Sequence, residues 1–277
     1  MPLPHTRTGR GERALVLLHG WFAAAAAWGA AAGAIDTCAR DVIVPDLRGA
    51  GRARSWPGPY DERSAVADLR RLLDVERIDR AVVAGHSMSA KIALAFAAEY
   101  PERVESVVAL APVPPGGLAF DERAWGLYRA ALDDREALAS LIGVLSGRRY
   151  PRAWARDEAS VAREAMTREA AAGYLEAFVG NDLSARVRGL ETPVLALCGA
   201  ADPALTPAFV AESLRRSCRS VTVAALPGCT HYPLRESPLL TAAAINAWCA
   251  GESLPDDVPV CGVSAGSGDR SRSSAAR

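Results

Sequence analysis

Short apolar runs alternate along the chain with longer stretches in which apolar and polar residues recur at helical spacing. The runs are rich in Val, Leu and Ala and end at turn-forming residues, which predicts strands. They occupy residues 14–18, 41–46, 81–85, 104–112, 193–199 and 220–226. The helical stretches cover residues 61–75, 89–100, 207–216 and 237–250. Because apolar runs without alternation indicate strands buried on both faces, the pattern predicts an α/β fold with a mostly parallel sheet and helices on both faces.

The pattern changes between the fourth and fifth of these strands, where residues 113–191 are helical throughout. Connections within a compact domain are usually a few residues long, so this interval predicts a helical insertion, with residues 1–112 and 192–250 forming the main domain. Five aromatic residues of the insertion lie among Ala and Leu, and the pattern leaves open which of them pack and which face a substrate. They are Trp125, Tyr128, Trp154, Tyr174 and Phe178.

Residues 251–277 differ from the rest of the chain in composition. They are rich in Gly, Ser, Pro and charged residues, and they show no periodic apolar positions. Such a segment buries too little apolar surface to offset the entropy lost on ordering, so the composition predicts a disordered tail.

One uncharged stretch, from Ala14 to Ile35, is long enough to suggest a membrane span. We reject this interpretation because alanine contributes little to insertion, and because His19-Gly20 divides the stretch into a short strand and an alanine-rich helix. The first residues also lack the apolar core of a signal peptide, and the six cysteines include no CxxC pair. These features predict a cytoplasmic protein with reduced thiols, no membrane association and no zinc site.

Charge is balanced over the 277 residues, since Lys and Arg together number 32, as do Asp and Glu. A chain without net charge lacks the field that draws proteins to nucleic acids or acidic membranes. The expected partner is therefore a small molecule, apolar or neutral. The sequence does not indicate an oligomeric state.

The strand at residues 81–85 leads into GHSMSA, residues 85–90, and then directly into a predicted helix. A serine hydroxyl reacts only if it is held clear of its neighbours, beside a base and near hydrogen-bond donors. A tight strand-to-helix turn supplies the first condition and is the context of the nucleophile-elbow pattern G-x-S-x-G, in which Ser89 here replaces the last glycine. Ser87 is therefore the candidate nucleophile; the alternative is an ordinary serine in a strand-to-helix loop.

Two backbone amides are candidates for an oxyanion hole. Met88 follows the nucleophile at a helix N-terminus, where free N–H groups and the helix dipole favour negative charge. The glycine turn HGWF, residues 19–22, follows the first predicted strand and offers the Trp21 amide as a second donor. Taken alone, this turn is more typical of a simple loop with a packed tryptophan.

His231 is the candidate base among the four histidines. His5 lies in an N-terminal segment expected to fray, His19 lies in the glycine turn, and the side chain of His86 is expected to point away from the serine beside it. His231 lies in a loop between the last predicted strand and the last helix, from which it can reach the carboxyl edge of the sheet. An isolated loop histidine is otherwise typical of a surface residue.

Asp202 is the candidate acid that orients the imidazole, because it closely follows the strand at residues 193–199. Its place before Pro203 is also typical of an Asx turn or a helix cap, and the two roles are compatible. Asp46 is the rival acid. It precedes the nucleophile along the chain and lies in a loop in which Arg48 is its expected partner.

Together these segments resemble the α/β-hydrolase superfamily from about Ala14 to Cys249. The resemblance rests on the motifs LLHGW, PDLRGAG, GHSMSAKIALAFAAEYPERV, LCGAADPALTP and GCTHYPLRESP. It implies an eight-stranded sheet, a helical cap inserted after the sixth strand, and a triad of Ser87, Asp202 and His231.

The resemblance leads to three functional hypotheses. The first is a cofactor-independent serine hydrolase in which His231 deprotonates Ser87 and an acyl-enzyme forms from an ester or related carbonyl compound. The second uses the same triad for elimination, acyl transfer, carbon–carbon cleavage or perhydrolysis in natural-product tailoring, a specialised role that the substituted elbow suits. The third is a non-catalytic module in which the cap closes on a ligand.

Overall fold

In a computed structural model that describes residues 1–263, eight strands form a single sheet. They are β1 (His5–Thr8), β2 (Arg13–Leu18), β3 (Arg40–Pro45), β4 (Ala81–His86), β5 (Val104–Leu110), β6 (Val194–Gly199), β7 (Val221–Leu226) and β8 (Val260–Val263). Their spatial order is β1-β3-β2-β4-β5-β6-β7-β8. Strands β2 to β7 run parallel, and the two edge strands pair antiparallel with their neighbours. The predicted α/β fold with a mostly parallel, eight-stranded sheet is confirmed.

Helices connect the strands. They are α1 (Gly29–Gly33), α2 (Glu62–Val75), α3 (Met88–Glu99), α4 (Glu122–Asp133), α5 (Arg135–Leu145), α6 (Arg152–Ala165), α7 (Arg168–Gly180), α8 (Pro207–Arg215), α9 (Pro233–Glu236) and α10 (Pro238–Ala250). Several begin where an Asp or Thr side chain accepts a hydrogen bond from a first-turn amide, as Asp61 does at α2 and Thr206 at α8. Within residues 1–263, none of the helices combines the length and apolarity that a membrane crossing requires.

Neighbouring residues of each central strand pack on opposite faces of the sheet. On one face Val83 of β4 packs in the same buried cluster as Phe96 of α3, and on the other face Val82 packs with Ile245 of α10. Both faces are therefore covered by helices. This arrangement explains why the strand sequences are apolar without alternation.

The insertion consists of helices α4 to α7, which lie between β5 and β6 along the chain. These helices pack on one another, and α7 also contacts α2 and α3 of the main domain. They follow the fifth strand of this chain, whereas the resemblance placed them after the sixth. The total of eight strands is reached because the C-terminal segment contributes β8.

The two ends of the described chain are more ordered than the composition predicted. Strand β8 pairs with β7, and Val258 just before it is buried, so residues 251–263 are not the start of a disordered tail. His5 likewise begins β1, which pairs with β3. Edge strands are held through their backbones and need no periodic apolar side chains, so composition does not reveal them. The rest of the predicted tail, residues 264–277, lies outside the described residues.

Strand β2 lies between β3 and β4, so the connections that leave β2 and β4 at their carboxyl ends lead in opposite directions. Parallel α/β sheets form a crevice at such a switch point, and ligands bind there. The HGWF turn follows β2 and the GHSMS turn follows β4, so the topology places both candidate segments at this crevice.

Candidate active site

Ser87 is the single residue between the end of β4 and the start of α3. Its φ is 55° and its ψ is −113°, a strained combination for a residue with a side chain. The backbone is held there by the segment that ends β5: the Ser87 N–H donates to the Leu110 carbonyl at 2.8 Å, and the Ser87 carbonyl accepts from the Val113 N–H at 3.2 Å. The turn therefore projects the hydroxyl from the edge of the sheet, as the elbow pattern requires.

The small residues of the elbow have different structural reasons. A Cβ on Gly85 would lie 2.2 Å from the backbone oxygen of Ser89, so only glycine fits at that position. Ser89, which replaces the last glycine of the pattern, is fully buried, and its hydroxyl donates to the backbone carbonyl of His19. This hydrogen bond connects the turn that contains Ser87 to the neighbouring HGWF turn.

The structure brings Ser87, His231 and Asp202 into one hydrogen-bonded chain. His231 Nε2 lies 3.0 Å from Ser87 Oγ, and His231 Nδ1 lies 3.0 Å from Asp202 Oδ2. All three residues are buried. Because a carboxylate only accepts, Nδ1 donates to Asp202, and Nε2 is left to accept the hydroxyl proton of Ser87.

Asp202 makes both sets of contacts that were expected of it, a turn before Pro203 and a hydrogen bond to His231. Its Oδ1 accepts from the Ala204 and Leu205 amides, both at 2.9 Å, while Oδ2 faces His231. Burial by itself raises the pKa of this carboxyl, but the hydrogen bond and charge of His231 and the two amides outweigh burial and hold the pKa below its usual value. The turn thus supplies a carboxylate that is already fixed in orientation.

Asp46, the rival acid, has a structural role at the end of β3. Its carboxylate accepts from the Ala25 amide at 2.7 Å and from the Arg52 side chain at 2.6 Å. The expected pairing with Arg48 was wrong, because Arg48 instead binds Asp68 of α2 through two hydrogen bonds. The loop brings Arg52 back over the carboxylate through a short 3-10 turn, a path that residue spacing does not reveal.

The two candidate oxyanion donors lie on either side of the elbow. Met88 is the first residue of α3, where amides have no acceptor within the helix. Trp21 lies in the turn after β2, and its indole N–H donates to the Ala171 carbonyl of α7 at 2.8 Å. Within the described chain, neither the Trp21 nor the Met88 backbone N–H has a hydrogen-bond acceptor.

The two histidines nearest the elbow are buried supports. The Leu47 amide donates to His19 Nε2 at 3.1 Å, so His19 Nδ1 donates to the Gly20 carbonyl at 2.9 Å, and burial lowers the pKa of His19. His86 Nε2 lies 3.0 Å from the His231 carbonyl and donates to it. Burial, with a further contribution from the nearby His231, lowers the pKa of His86 to about 3. Both rings therefore stay neutral at pH 7.

Buried neutral histidines make the protein less stable in mild acid. Between the folded pKa of His86, about 3, and an unfolded pKa of about 6.5, the unfolded chain binds more protons, so the free energy of unfolding falls as the pH falls. We expect this one group to remove about 2 kcal/mol between pH 7 and pH 5. His86→Gln keeps an N–H donor but cannot titrate, so urea unfolding at the two pH values should show a smaller loss. An equal loss in both proteins would contradict this prediction.

A cavity of about 310 Å³ opens onto Ser87 and His231. It is formed by the turn after β2, the insertion and the loops after β6 and β7. Its other lining residues are Trp21, His86, Val113, Leu118, Ala119, Phe120, Tyr128, Leu145, Phe178, Ala204, Leu205, Phe209 and Tyr232. Among the described residues that form this lining there is no Asp, Glu, Lys or Arg. The cavity is therefore lined mainly by apolar and aromatic side chains and holds no acidic or basic side chain of these four types from the described part of the chain.

The structure separates the aromatic residues of the insertion into two groups. Tyr128 and Phe178 line the cavity, and both rings contact Trp21. Tyr174 is buried, with its hydroxyl bonded to a backbone carbonyl, while Trp125 stacks with Arg129. Trp154 packs against Tyr150 and Tyr232, outside the lining of the cavity.

Sequence reasoning missed Tyr232, which lines the cavity with its ring nearly perpendicular to the imidazole of His231 and the two ring centroids 5.5 Å apart. The signal that was available is its position directly after the candidate base. That signal is weak, because adjacent residues of a loop often point in different directions.

The chain is similar in sequence to known proteins over most of its length. A profile described as "Alpha/beta hydrolase family" matches residues 15–244. The chain is 30% identical over 247 residues to "Putative carbamate hydrolase RutD" of Variovorax paradoxus, covering 82% of this chain and 88% of the relative. It is 26% identical over 242 residues to the pimeloyl-[acyl-carrier protein] methyl ester esterase of Nitrosospira multiformis, covering 81% and 89% of the two chains.

Solved structures share the fold. A thermophilic esterase from Thermogutta terrifontis superposes with a TM-score of 0.73 at 25% identity, covering 90% of this chain and 93% of that one. The enol-lactonase from Burkholderia xenovorans superposes with a TM-score of 0.75 at 22% identity, covering 90% and 96%. The named activities belong to those proteins; the likeness of the lactonase concerns the fold alone.

Proposed function

Because the chain belongs to the alpha/beta hydrolase family of enzymes, we propose that it is a cofactor-independent serine hydrolase acting on an ester or related carbonyl compound through Ser87, His231 and Asp202. One observation carries the proposal: a continuous hydrogen-bonded chain runs from the Ser87 hydroxyl through His231 to a buried carboxylate. The esterases and hydrolases among its relatives support the same reaction class.

The first half of the reaction forms an acyl-enzyme. His231 Nε2 accepts the hydroxyl proton as Ser87 Oγ attacks the substrate carbonyl carbon, and Asp202 stabilises the imidazolium that results. The carbonyl oxygen becomes an oxyanion that accepts hydrogen bonds from the Trp21 and Met88 amides. When the tetrahedral intermediate collapses, the bond to the leaving group breaks, and the imidazolium donates its proton to the departing oxygen.

The second half releases the acid. His231 Nε2 accepts a proton from water as the water oxygen attacks the acyl carbon, and the same two amides bind the second oxyanion. Collapse breaks the bond to Ser87 Oγ, which takes the proton back from the imidazolium. The enzyme returns to its starting state, and one water molecule has been consumed.

The proposal extends to the organisation and location of the protein. The insertion, residues 113–191, acts as a cap over the active site, a role supported by Tyr128 and Phe178 in the cavity lining. The substrate is a small neutral or apolar molecule. A cytoplasmic location is supported by six cysteines that are all free thiols.

The specialised reactions of the second hypothesis have less support. Their sequence argument was Ser89 at the elbow, and its hydrogen bond to the His19 carbonyl accounts for that residue without a change of reaction. Hydrolysis therefore remains the function that the geometry supports best.

A fluorophosphonate probe, which reacts with activated serines, tests the proposal. We expect the native chain to be labelled at one site, with labelling lost in Ser87→Ala and retained in Ser140→Ala, a control serine exposed on α5. Mass spectrometry of the labelled peptide identifies the site, and turnover of short p-nitrophenyl esters measures hydrolysis. Folded protein that is never labelled would support the non-catalytic module. Labelled protein that leaves every ester intact would support the specialised reactions.

A further inference from the structure

The polar groups of the cavity are few, and most are already engaged. Ser87 and His231 form the proposed catalytic pair. The indole N–H of Trp21 donates to a backbone carbonyl of α7, and His86 donates to the backbone of the His231 loop. The remaining polar side-chain atoms of the lining are the phenol hydroxyls of two tyrosines.

These two hydroxyls differ from those of the other tyrosines. The chain has six tyrosines, and four of them have hydrogen-bonded hydroxyls. The four are Tyr60, Tyr100, Tyr150 and Tyr174. Within residues 1–263, the hydroxyls of Tyr128 and Tyr232 have no hydrogen-bond partner. Since polar groups in an apolar setting are costly unless they are paired, these two are suited to pair with a ligand.

The surroundings of the two hydroxyls determine which ligand groups suit them. Burial raises the pKa of Tyr128, and the negative charge of Asp202 raises it further. Burial also raises the pKa of Tyr232, and both Tyr128 and Asp202 add to the shift. Both hydroxyls therefore remain protonated hydrogen-bond donors. With Asp202 nearby and no cation among the described lining residues, the cavity disfavours a carboxylate.

We propose that Tyr128 and Tyr232 form a specificity site for a second, uncharged hydrogen-bond acceptor on the substrate, such as a ketone oxygen separated by a short carbon chain from the ester that Ser87 attacks. The inference rests on the proposed hydrolase function and names its substrate class. The volume of about 310 Å³ is at the small end of the range for ligand cavities, so the substrate is compact. Apolar walls contact its carbon chain, while the two hydroxyls bind the acceptor.

Matched pairs of esters test the site. In the acyl pair, p-nitrophenyl 4-oxopentanoate is compared with p-nitrophenyl 4-methylpentanoate, which has the same shape without the ketone. In the alcohol pair, 4-oxopentyl butanoate is compared with 4-methylpentyl butanoate. We expect the native enzyme to prefer the ketone in at least one pair by about tenfold in kcat/KM, the effect of one good hydrogen bond. The p-nitrophenyl monoester of glutarate, which carries a carboxylate, should be a poorer substrate than 4-oxopentanoate.

The variant Tyr128→Phe/Tyr232→Phe removes two oxygen atoms and leaves both rings in place. We expect the ratio of kcat/KM between ketone and isostere to fall to about one, with intermediate ratios in the two single variants, which serve if the double variant fails to fold. Tyr100→Phe is the matched control, because its hydroxyl bonds to Glu99 outside the cavity, and it should keep the native ratio. A native ratio of one in both pairs, or a ratio unchanged in the double variant, overturns the inference.

Failure of this inference is distinguishable from failure of the proposed function. The same esters are titrated by calorimetry into Ser87→Ala, in which binding is measured without turnover. If the native chain hydrolyses no ester but Ser87→Ala binds the ketone more tightly, and the tyrosine substitutions remove that preference, the specificity site stands and the hydrolase proposal fails. If all esters are hydrolysed without a ketone preference, the hydrolase proposal stands and the specificity site fails.

Discussion

His231→Gln is expected to lower kcat/KM for ester hydrolysis by about 10⁴- to 10⁶-fold, the range typical of losing the base of a serine hydrolase. Glutamine retains a polar side chain of similar length but cannot accept and return a proton at neutral pH. Ser87 would then have to lose its proton to water, and the leaving group would depart without an acid to protonate it. Steady-state kinetics with a p-nitrophenyl ester measures the ratio of kcat/KM between the native enzyme and the variant. The native enzyme is diluted until its signal matches that of the variant.

Two further variants show whether the loss comes from the proton transfer itself. Asp202→Asn should lower kcat by about 10⁴-fold, because an amide in place of the carboxylate favours the wrong tautomer of His231. His5→Gln changes a histidine on the edge strand β1 and should leave kcat/KM within about twofold of the native value. Retention of more than about one hundredth of native activity in His231→Gln would contradict the triad. In that case another group would have to act as the base.

The second large effect concerns stability and the buried side chain of Lys91. This residue of α3 is fully buried, and its ammonium lies 3.1 Å from Glu62 Oε1 of α2. It also donates to three carbonyls at the end of α7, those of Ala177, Phe178 and Asn181. The Lys91 ammonium therefore joins α2 and α3 of the main domain to the C-terminal end of α7 in the insertion. Burial lowers the pKa of Lys91, while Glu62 acts in the opposite direction.

Lys91→Met is expected to lower the free energy of unfolding by about 3–5 kcal/mol, because it leaves the buried carboxylate of Glu62 without its cation. It also removes the Lys91 ammonium as a donor to the carbonyls at the end of α7. Urea unfolding at pH 7 measures the effect. The double variant Lys91→Met/Glu62→Gln should recover much of the loss, since no charge then remains buried and unpaired.

The matched control is an exposed ion pair. Glu212 of α8 pairs with Arg216, the residue that directly follows this helix, and both side chains are exposed. Because exposed ion pairs contribute little, Arg216→Met should change the free energy of unfolding by less than about 1 kcal/mol. The prediction for Lys91 is wrong if Lys91→Met lowers the free energy of unfolding by as little as Arg216→Met does. Equal costs would mean that water reaches the Lys91 ammonium.

The sequence and the structure agree best where local pattern decides the outcome. The run AVVA followed by GHSMSA predicted a strand, a tight turn around Ser87 and a helix, and the structure has all three. Such agreement is expected because apolar runs, glycine and helical periodicity act on neighbouring residues. The position of Asp202 shortly after a strand could be predicted from the sequence for the same reason.

The predictions that failed depend on contacts between distant segments. The partner of Asp46 is Arg52 and not Arg48, because the path of the loop decides which guanidinium reaches the carboxylate. Strand β8 forms because the edge of β7 offers unpaired backbone groups, whatever the composition of residues 251–263. Neither the Asp46–Arg52 contact nor the pairing of β8 with β7 can be predicted from the spacing of residues along the chain.

The sequence by itself determined the class of fold, the order of the six parallel strands, the helical character of the segments between them, and the positions of Ser87, Asp202 and His231 after the ends of strands. The tertiary structure alone decided which atoms meet. It set the 3.0 Å distances that join the three side chains, the neutral lining of the cavity and the two tyrosine hydroxyls left without partners. The physical reason is range: backbone preference and hydrophobic periodicity act over a few residues, whereas hydrogen bonds and burial depend on segments that only folding brings together.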